Sequence, residues 1–262
     1  MTIAIYDLSH MPTTFDFATW AINAKSHGET HVHFVADHGM TSKKYSQELG
    51  WKRFGNILVP LCKLAGLTFS VGGKMDGNEY TYKAGDLCEF YEKNGWIAKL
   101  QPSYHMKDSG YVTVTLRESF RNKWRNSNMP AWEKFIGHLE SEGRRVVVLG
   151  ECELSPLDVG YRMELYAKAD MNYGVSNGPV ILCHLSDAPY ITINMNPVNN
   201  TGKGYTIEGI MNWHKFPIGS QYNFRNYRQI LVYEPDTFEN ILKAHNAMMG
   251  AIKHEQHQQE AA

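Results

Sequence analysis

Hydrophobic positions alternate between two periods along the first seventy residues. Ile3 to Leu8 is a short apolar run with β-branched residues, and it predicts a buried strand. Asp16 opens a helical stretch to about His27, with Phe17, Trp20, Ala21 and Ala24 on one face; Gly28 ends it. Thr30 to Asp37 predicts a second strand. Phe54 to Leu64 predicts a second helix with Pro60 at a kink or an internal boundary, and Leu67 to Val71 a third strand. Parallel strands need crossovers, usually helical, so strand–helix–strand–helix–strand at this spacing predicts a parallel sheet. Residues 74 to about 110 interrupt the rhythm with polar, Gly-containing stretches around one short helix over 85–94, and read as a connection between two halves.

The alternation resumes with a strand over 111–116, a helix over 130–142 and a strand over 145–149. Ser155-Pro156-Leu157-Asp158 predicts a helix start, with Ser as cap, running to about Ala169. A strand over 171–175, a helix over 179–186 and a strand over 190–195 follow. Residues 196–228 are irregular and rich in Asn, Gly and Tyr, the kind of long loop that is often functional. A last strand over 229–234 precedes an amphipathic final helix introduced by Asp236-Thr237-Phe238-Glu239, read as a capping box. The pattern predicts an α/β protein of two Rossmann-like βα domains facing a cleft. The first spans 1–105 and the second 106–262.

Composition narrows the possibilities. The 262 residues carry 26 Lys plus Arg against 27 Asp plus Glu, a formal charge of −1, which argues against general nucleic-acid binding. No apolar run approaches the roughly 20 residues that span a bilayer, and the first ten residues lack a signal-peptide pattern. Cys62, Cys88, Cys152 and Cys183 are widely spaced, read as reduced thiols and fit a cytoplasmic location.

Open α/β sheets bind ligands beyond the carboxyl ends of their strands, so the chemistry is sought there. After the strand at 111–116 come Arg117, Ser119, Arg121, Lys123 and Arg125; guanidinium groups make bidentate bonds to phosphate. After 171–175 come Ser176-Asn177-Gly178, a small-residue turn into a helix whose free N–H groups and dipole could seat a diphosphate, or simply cap that helix. After 145–149 come Glu151 and Glu153, carboxylates able to accept from ribose hydroxyls. In the first half, Asp7, His10 and Asp16 surround the loop after the first strand; Asp16 is either a helix cap or a general base, with His10 the second candidate. His31-x-His33 with Asp37 suggests a metal site, yet the other histidines (His105, His138, His184, His214, His245) are scattered along the chain, so no metal ligand is assigned. No D-x-D occurs anywhere. The aromatics and cations of 196–228, among them Lys203, Tyr205, Trp213, His214, Lys215, Tyr222, Arg225, Tyr227 and Arg228, suit sugar stacking or a loop packed on itself.

The segments VTVTLRES, RNSN, VVVLGE and AD.NYGVSNGP resemble the C-terminal domain of GT-B glycosyltransferases, and are most similar to the ADP-heptosyltransferase-like (family 9) group. The resemblance covers about residues 110–195 well and the first seventy loosely. It implies a nucleoside-diphosphate-sugar donor with its diphosphate at Ser176-Asn177-Gly178. Arg117 would stand where that domain has a cation after its first strand, and Glu151 or Glu153 would hold the nucleoside. Asp16 stands at the helix start that carries the family's acidic base. The implied reaction is sugar transfer to an unidentified hydroxyl acceptor, inverting, with no metal and no cofactor beyond the donor. Two other readings stay open: a nucleotide-sugar binding protein with a degenerate acceptor half, and a nucleotide-sugar epimerase of the same fold.

Overall fold

A computed structural model describes residues 3–37, 46–103, 107–119, 123–150, 158–195, 208–209, 211 and 215–260. In the first half, strands β1 (Ile3–Asp7), β2 (His31–Val35) and β3 (Thr68–Gly72) form a parallel sheet in the order β1-β2-β3. Its crossovers are α1 (Asp16–Ser26) and a composite helix built from α2 (Gln47–Arg53), a π turn (Phe54–Leu58) and α3 (Val59–Leu64). The helix therefore begins a full turn or more before the expected Phe54, capped by Ser46 Oγ accepting from Leu49 N–H. Pro60 marks an internal boundary as expected: it has no N–H and would crowd a regular turn, and the π turn just before it absorbs both effects.

In the second half, β4 (Tyr111–Thr115), β5 (Arg145–Leu149), β6 (Met171–Val175), β7 (Tyr190–Ile193) and β8 (Gln229–Leu231) form a parallel sheet in the order β5-β4-β6-β7-β8. The strand order reverses between β4 and β6, so this sheet has its topological switch point there. The connecting helices are α5 (Met129–Ser141), α6 (Val159–Lys168) and α7 (Ile181–His184), and α8 (Phe238–Glu260) closes the chain; α4 (Ala84–Asn94) lies between the halves in sequence. β5 is an edge strand, and Val148 is half exposed.

Three helix starts differ from expectation. α6 is capped by Asp158, whose carboxylate accepts from Tyr161 N–H; Ser155, Pro156 and Leu157 lie outside the described residues. α7 spans four residues rather than eight, so it adds little dipole to the turn before it. Asp236 does not cap its own helix. Its Oδ2 accepts from the Asn128 N–H and Trp132 Nε1 at the start of α5, while Thr237 Oγ1 accepts from Asn240 N–H in α8. A carboxylate at the α5 N-terminus is favoured by the helix dipole, and the bond to Trp132 satisfies a buried indole.

The halves share one core. Leu58, Leu61 and Cys62 of the first half belong to the same buried cluster as Tyr111, Met163 and Tyr166 of the second. The segment joining them lies between: Gln101 N–H donates to Leu64 O and Leu100 N–H to Leu185 O, while Lys99 pairs with Asp187. Cys62, Cys88 and Cys183 are free thiols; Cys152 lies outside the described residues. No helix among the described residues is long and apolar enough to cross a membrane.

His31 and His33 have structural partners on both ring nitrogens. His31 bonds Thr68 Oγ1 and Ser70 Oγ; His33 bonds Ser70 Oγ and Gly73 O, each at 2.8 Å. His33 Nε2 donates to the Gly73 carbonyl, and the pair ties β2 to β3. His184, on α7, is buried and bonds Thr192 Oγ1 at 2.8 Å; burial pushes its pKa down to about 3. Because the folded state resists a proton that the unfolded chain takes near 6.5, stability present above pH 6.5 is lost progressively as pH falls toward 3. Urea unfolding between pH 7 and 4 should show a loss of ~1.4 kcal/mol per pH unit from this group. His184→Gln, which keeps a donor for Thr192, should remove that component; an unchanged slope would refute the assignment.

Candidate functional site

The loops after β4 and β6 flank the switch point. Thr115 of β4 lies opposite Gly174 of β6, which puts Arg117 and Ser176 side by side on one rim. Backbone pairing with a second segment fixes the β4 loop. Arg117 N–H donates to Ser127 Oγ and Ser127 N–H to Arg117 O. Ser119 N–H donates to Asn126 Oδ1, and Asn126 Nδ2 to Ser119 O. Arg117 is buried, and Ser119 is buried beside it. The cation that touches the neighbouring turn is Arg125: its Nη2 donates to Ser176 O at 3.2 Å. Arg125 was counted in the sequence only as one of a basic run, and nothing in its spacing distinguished it.

The 176–178 turn is a partly unsatisfied donor surface. Ser176 N–H is used by Ile193 O, and Val180 N–H by Asn177 Oδ1. The Asn177 and Gly178 amides have no acceptor among the described residues, nor does Asn177 Nδ2, although Asn177 is buried. A buried donor without an acceptor, such as Asn177 Nδ2, is rare and costly, and with two open amides beside it the turn marks a place where an anion would be favoured. The short α7 contributes little, so the backbone turn and Arg125 supply the electrostatics.

A buried polar chain supports this rim. Arg162, with no exposed surface, donates from Nη2 to Gly150 O and from Nη1 to Tyr166 Oη, which bonds Thr115 Oγ1 at 2.8 Å. It ties the ends of β5 and β4 together. Burial pushes the Tyr166 hydroxyl up to about 12, so it stays protonated. Glu151 and Glu153 lie outside the described residues, immediately beyond this anchored carbonyl.

The first half reaches the same rim. Phe15, the residue preceding α1, lies against Gly178: a Cβ on Gly178 would come within 2.8 Å of Phe15 Cδ2. Asp16 is thus the first helical residue and not the cap, and it begins α1 next to the 176–178 turn. Its carboxylate accepts from Thr14 Oγ1 at 2.8 Å, and its charge, after burial, helps push the Tyr6 and Tyr82 hydroxyls up. Arg53 Nε donates to Thr13 O and so holds the same loop from the π-turn side. His10 is the most open of the candidates, with 81% of its side chain exposed and Nε2 3.8 Å from Asp7 Oδ2; Asp7 Oδ1 is taken by Ser9. The structure therefore brings Arg117, Ser119, Ser176, Asn177, Gly178 and the start of α1 together, with His10 farther out on the same loop.

The described part of 215–228 packs on itself. Phe216, Tyr222 and Phe224 are buried and their rings lie within 5.0 Å of one another in sequence. Lys215 pairs with Asp86, and Arg225 and Arg228 donate to the backbone at Gln229 and Asp170. The aromatics thus pack on one another while the segment also docks on α4, through Asp86 and Cys88 O, and Tyr227 stays exposed; Lys203, Tyr205, Trp213 and His214 lie outside the described residues.

No family model matches the chain, and no curated protein matches it in sequence. Among solved structures it is similar to TibC, an iron-containing dodecameric glycosyltransferase from enterotoxigenic E. coli H10407. The match has a TM-score of 0.51 and 14% identity, over 96% of this chain and 77% of that one. A second match is the E. coli heptosyltransferase WaaC with ADP-2-deoxy-2-fluoro heptose, at TM-score 0.47 and 15% identity over the full length of both. The chain has a GT-B-like fold: two Rossmann-like parallel sheets, the first reduced to three strands among the described residues.

Gly178→Ala should cost ~1–3 kcal/mol of stability through overpacking against Phe15. In a Phe15→Ala background that cost should shrink, as equilibrium unfolding of the four variants would show; full additivity would mean the two residues do not touch.

Proposed function

We propose that the protein is a glycosyltransferase that moves a sugar from a nucleoside-diphosphate donor to a hydroxyl acceptor, with inversion and without a metal at the donor. The observation that carries this reading is the set of unsatisfied donors at Asn177 and Gly178 beside Arg125 and Arg117, at the switch point of a Rossmann-like sheet. The second half, residues 106–262, would bind the donor. Asn177, Gly178 and Ser176 would hold the diphosphate, with Arg117, Ser119 and Arg125 stabilising its charge as the glycosidic bond breaks; such preorganised donors are usually the largest catalytic contribution. Glu151 would accept from the ribose hydroxyls. The first half, residues 1–105, would present the acceptor to Asp16, which would take the hydroxyl proton as that oxygen attacks the anomeric carbon; His10 is the second candidate base. The likeness to TibC, a glycosyltransferase, agrees in kind with this assignment. The protein's site of action would be cytoplasmic.

A panel of nucleoside-diphosphate sugars tests the proposal by turnover and by donor hydrolysis. Arg117→Ala and Arg125→Ala should each lower turnover at least 100-fold. Asp16→Asn should lower kcat by about 10²–10⁴ with little change in donor KM, the range of a lost general base. Undiminished turnover with unchanged donor KM in Arg117→Ala would contradict the assignment. Donor binding without any transfer or hydrolysis would replace it with the binding-protein reading.

A further inference from the structure

The histidines that look scattered in the sequence are not all apart in space. α5 and α8 pack side by side, and His138 near the end of α5 and Glu142, the residue that caps it four positions on, meet His245 of α8. One ligand atom from each of the three lies within 4.8 Å of the other two. His138 Nε2 stands 3.3 Å from Glu142 Oε1, and His245 Nε2 stands 3.6 Å from Glu142 Oε2. In a tetrahedral zinc site with bonds of about 2.0–2.1 Å, neighbouring ligand atoms are about 3.4 Å apart. Each imidazole is therefore near the bonded spacing from one oxygen of the same carboxylate, His138 from Oε1 and His245 from Oε2.

Three further features suit a metal. His138 Nε2 is buried and makes no hydrogen bond. His245 is buried, and its Nδ1 is bonded to Tyr173 Oη at 2.7 Å, which turns Nε2 toward Glu142; a partner on the second ring nitrogen is the usual way a ligating imidazole is oriented. The edge at Glu142 is a third exposed, leaving room for a water as fourth ligand. The charged group facing the cluster besides the three ligands is Arg144, whose Nε lies 3.2 Å from Glu142 Oε2 and whose Nη2 approaches Met249 Sδ. A single carboxylate is a poor ligand set for the hard ions calcium and magnesium, whereas two imidazoles favour zinc and its neighbours.

We infer that His138, Glu142 and His245 form a zinc-type metal site that clamps α8 to α5. The site is separate from the rim. α5 starts at the carboxyl edge of the sheet, where Asn128 meets Asp236, and its thirteen residues carry the chain about 18 Å to the opposite edge. Zinc here would tie two helices and would not touch the sugar-transfer residues, so the inference stands whether or not the proposed activity does.

The test uses the full chain, stripped with chelator, dialysed and titrated with zinc, with metal content and thermal unfolding as readouts. The expected result is about one zinc retained per chain and a Tm that rises with zinc until the site fills. His138→Ala and Glu142→Gln should each lose both effects while their metal-free Tm stays within a few degrees of the metal-free parent. His254→Ala/His257→Ala, which removes the two histidines near the end of α8, should keep both effects. Cobalt should give the visible absorption of a tetrahedral site in the parent and not in Glu142→Gln. Zinc retained undiminished by His138→Ala and Glu142→Gln, or zinc lost only in the tail variant, would overturn the inference, as would no retention by the parent.

Discussion

The contact of Phe15 with Gly178 is the constraint on which the arrangement depends. Gly178 has no side chain, so the aromatic ring that precedes α1 can lie directly on the turn after β6. That contact brings the acidic start of one half beside the amide-rich turn of the other. Neither half contains the site alone. The shared core behind the contact, running from Leu58 and Leu61 through Met163 and Tyr166, holds the two sheets in this relation, and the Leu64–Gln101 and Leu185–Leu100 bonds seal the seam.

Electrostatics at the rim are set by what lacks a partner as much as by what has one. Asn177 spends its carbonyl oxygen on Val180 N–H, which fixes the direction of the amide and leaves its Nδ2 buried without an acceptor. Arg125 grips the turn through Ser176 O, while Arg162 and Tyr166 brace the ends of β5 and β4 from below. A surface with that many fixed donors favours an anion without needing to reorganise around it, which is the requirement for stabilising a leaving diphosphate.

Much of the fold was legible because its strands are short runs rich in β-branched and aromatic residues bounded by turn signals: β1, β2, β4 and β6 fall where the pattern puts them. The switch point was not legible, since strand order depends on tertiary packing that no local period encodes. It is the switch point, more than any single residue, that sets Arg117 beside Ser176. Helix starts were harder. Asp236 has the sequence position of a cap for its own helix yet serves α5, because Trp132 and Asn128 reach it first; Asp158 takes the role that Ser155 seemed to hold. The same limit hid the cluster of His138, Glu142 and His245: His245 lies more than a hundred residues from the other two and meets them only when α8 folds back on α5.

Hydrogen exchange with and without a nucleoside diphosphate tests the central claim most directly. The account predicts added protection at two places at once: the amides of residues 176–180 and those at the start of α1, residues 15–18, because one bound anion would bridge the Phe15–Gly178 junction. Protection confined to other parts of the chain, with both of these segments unchanged under saturating ligand, would contradict it.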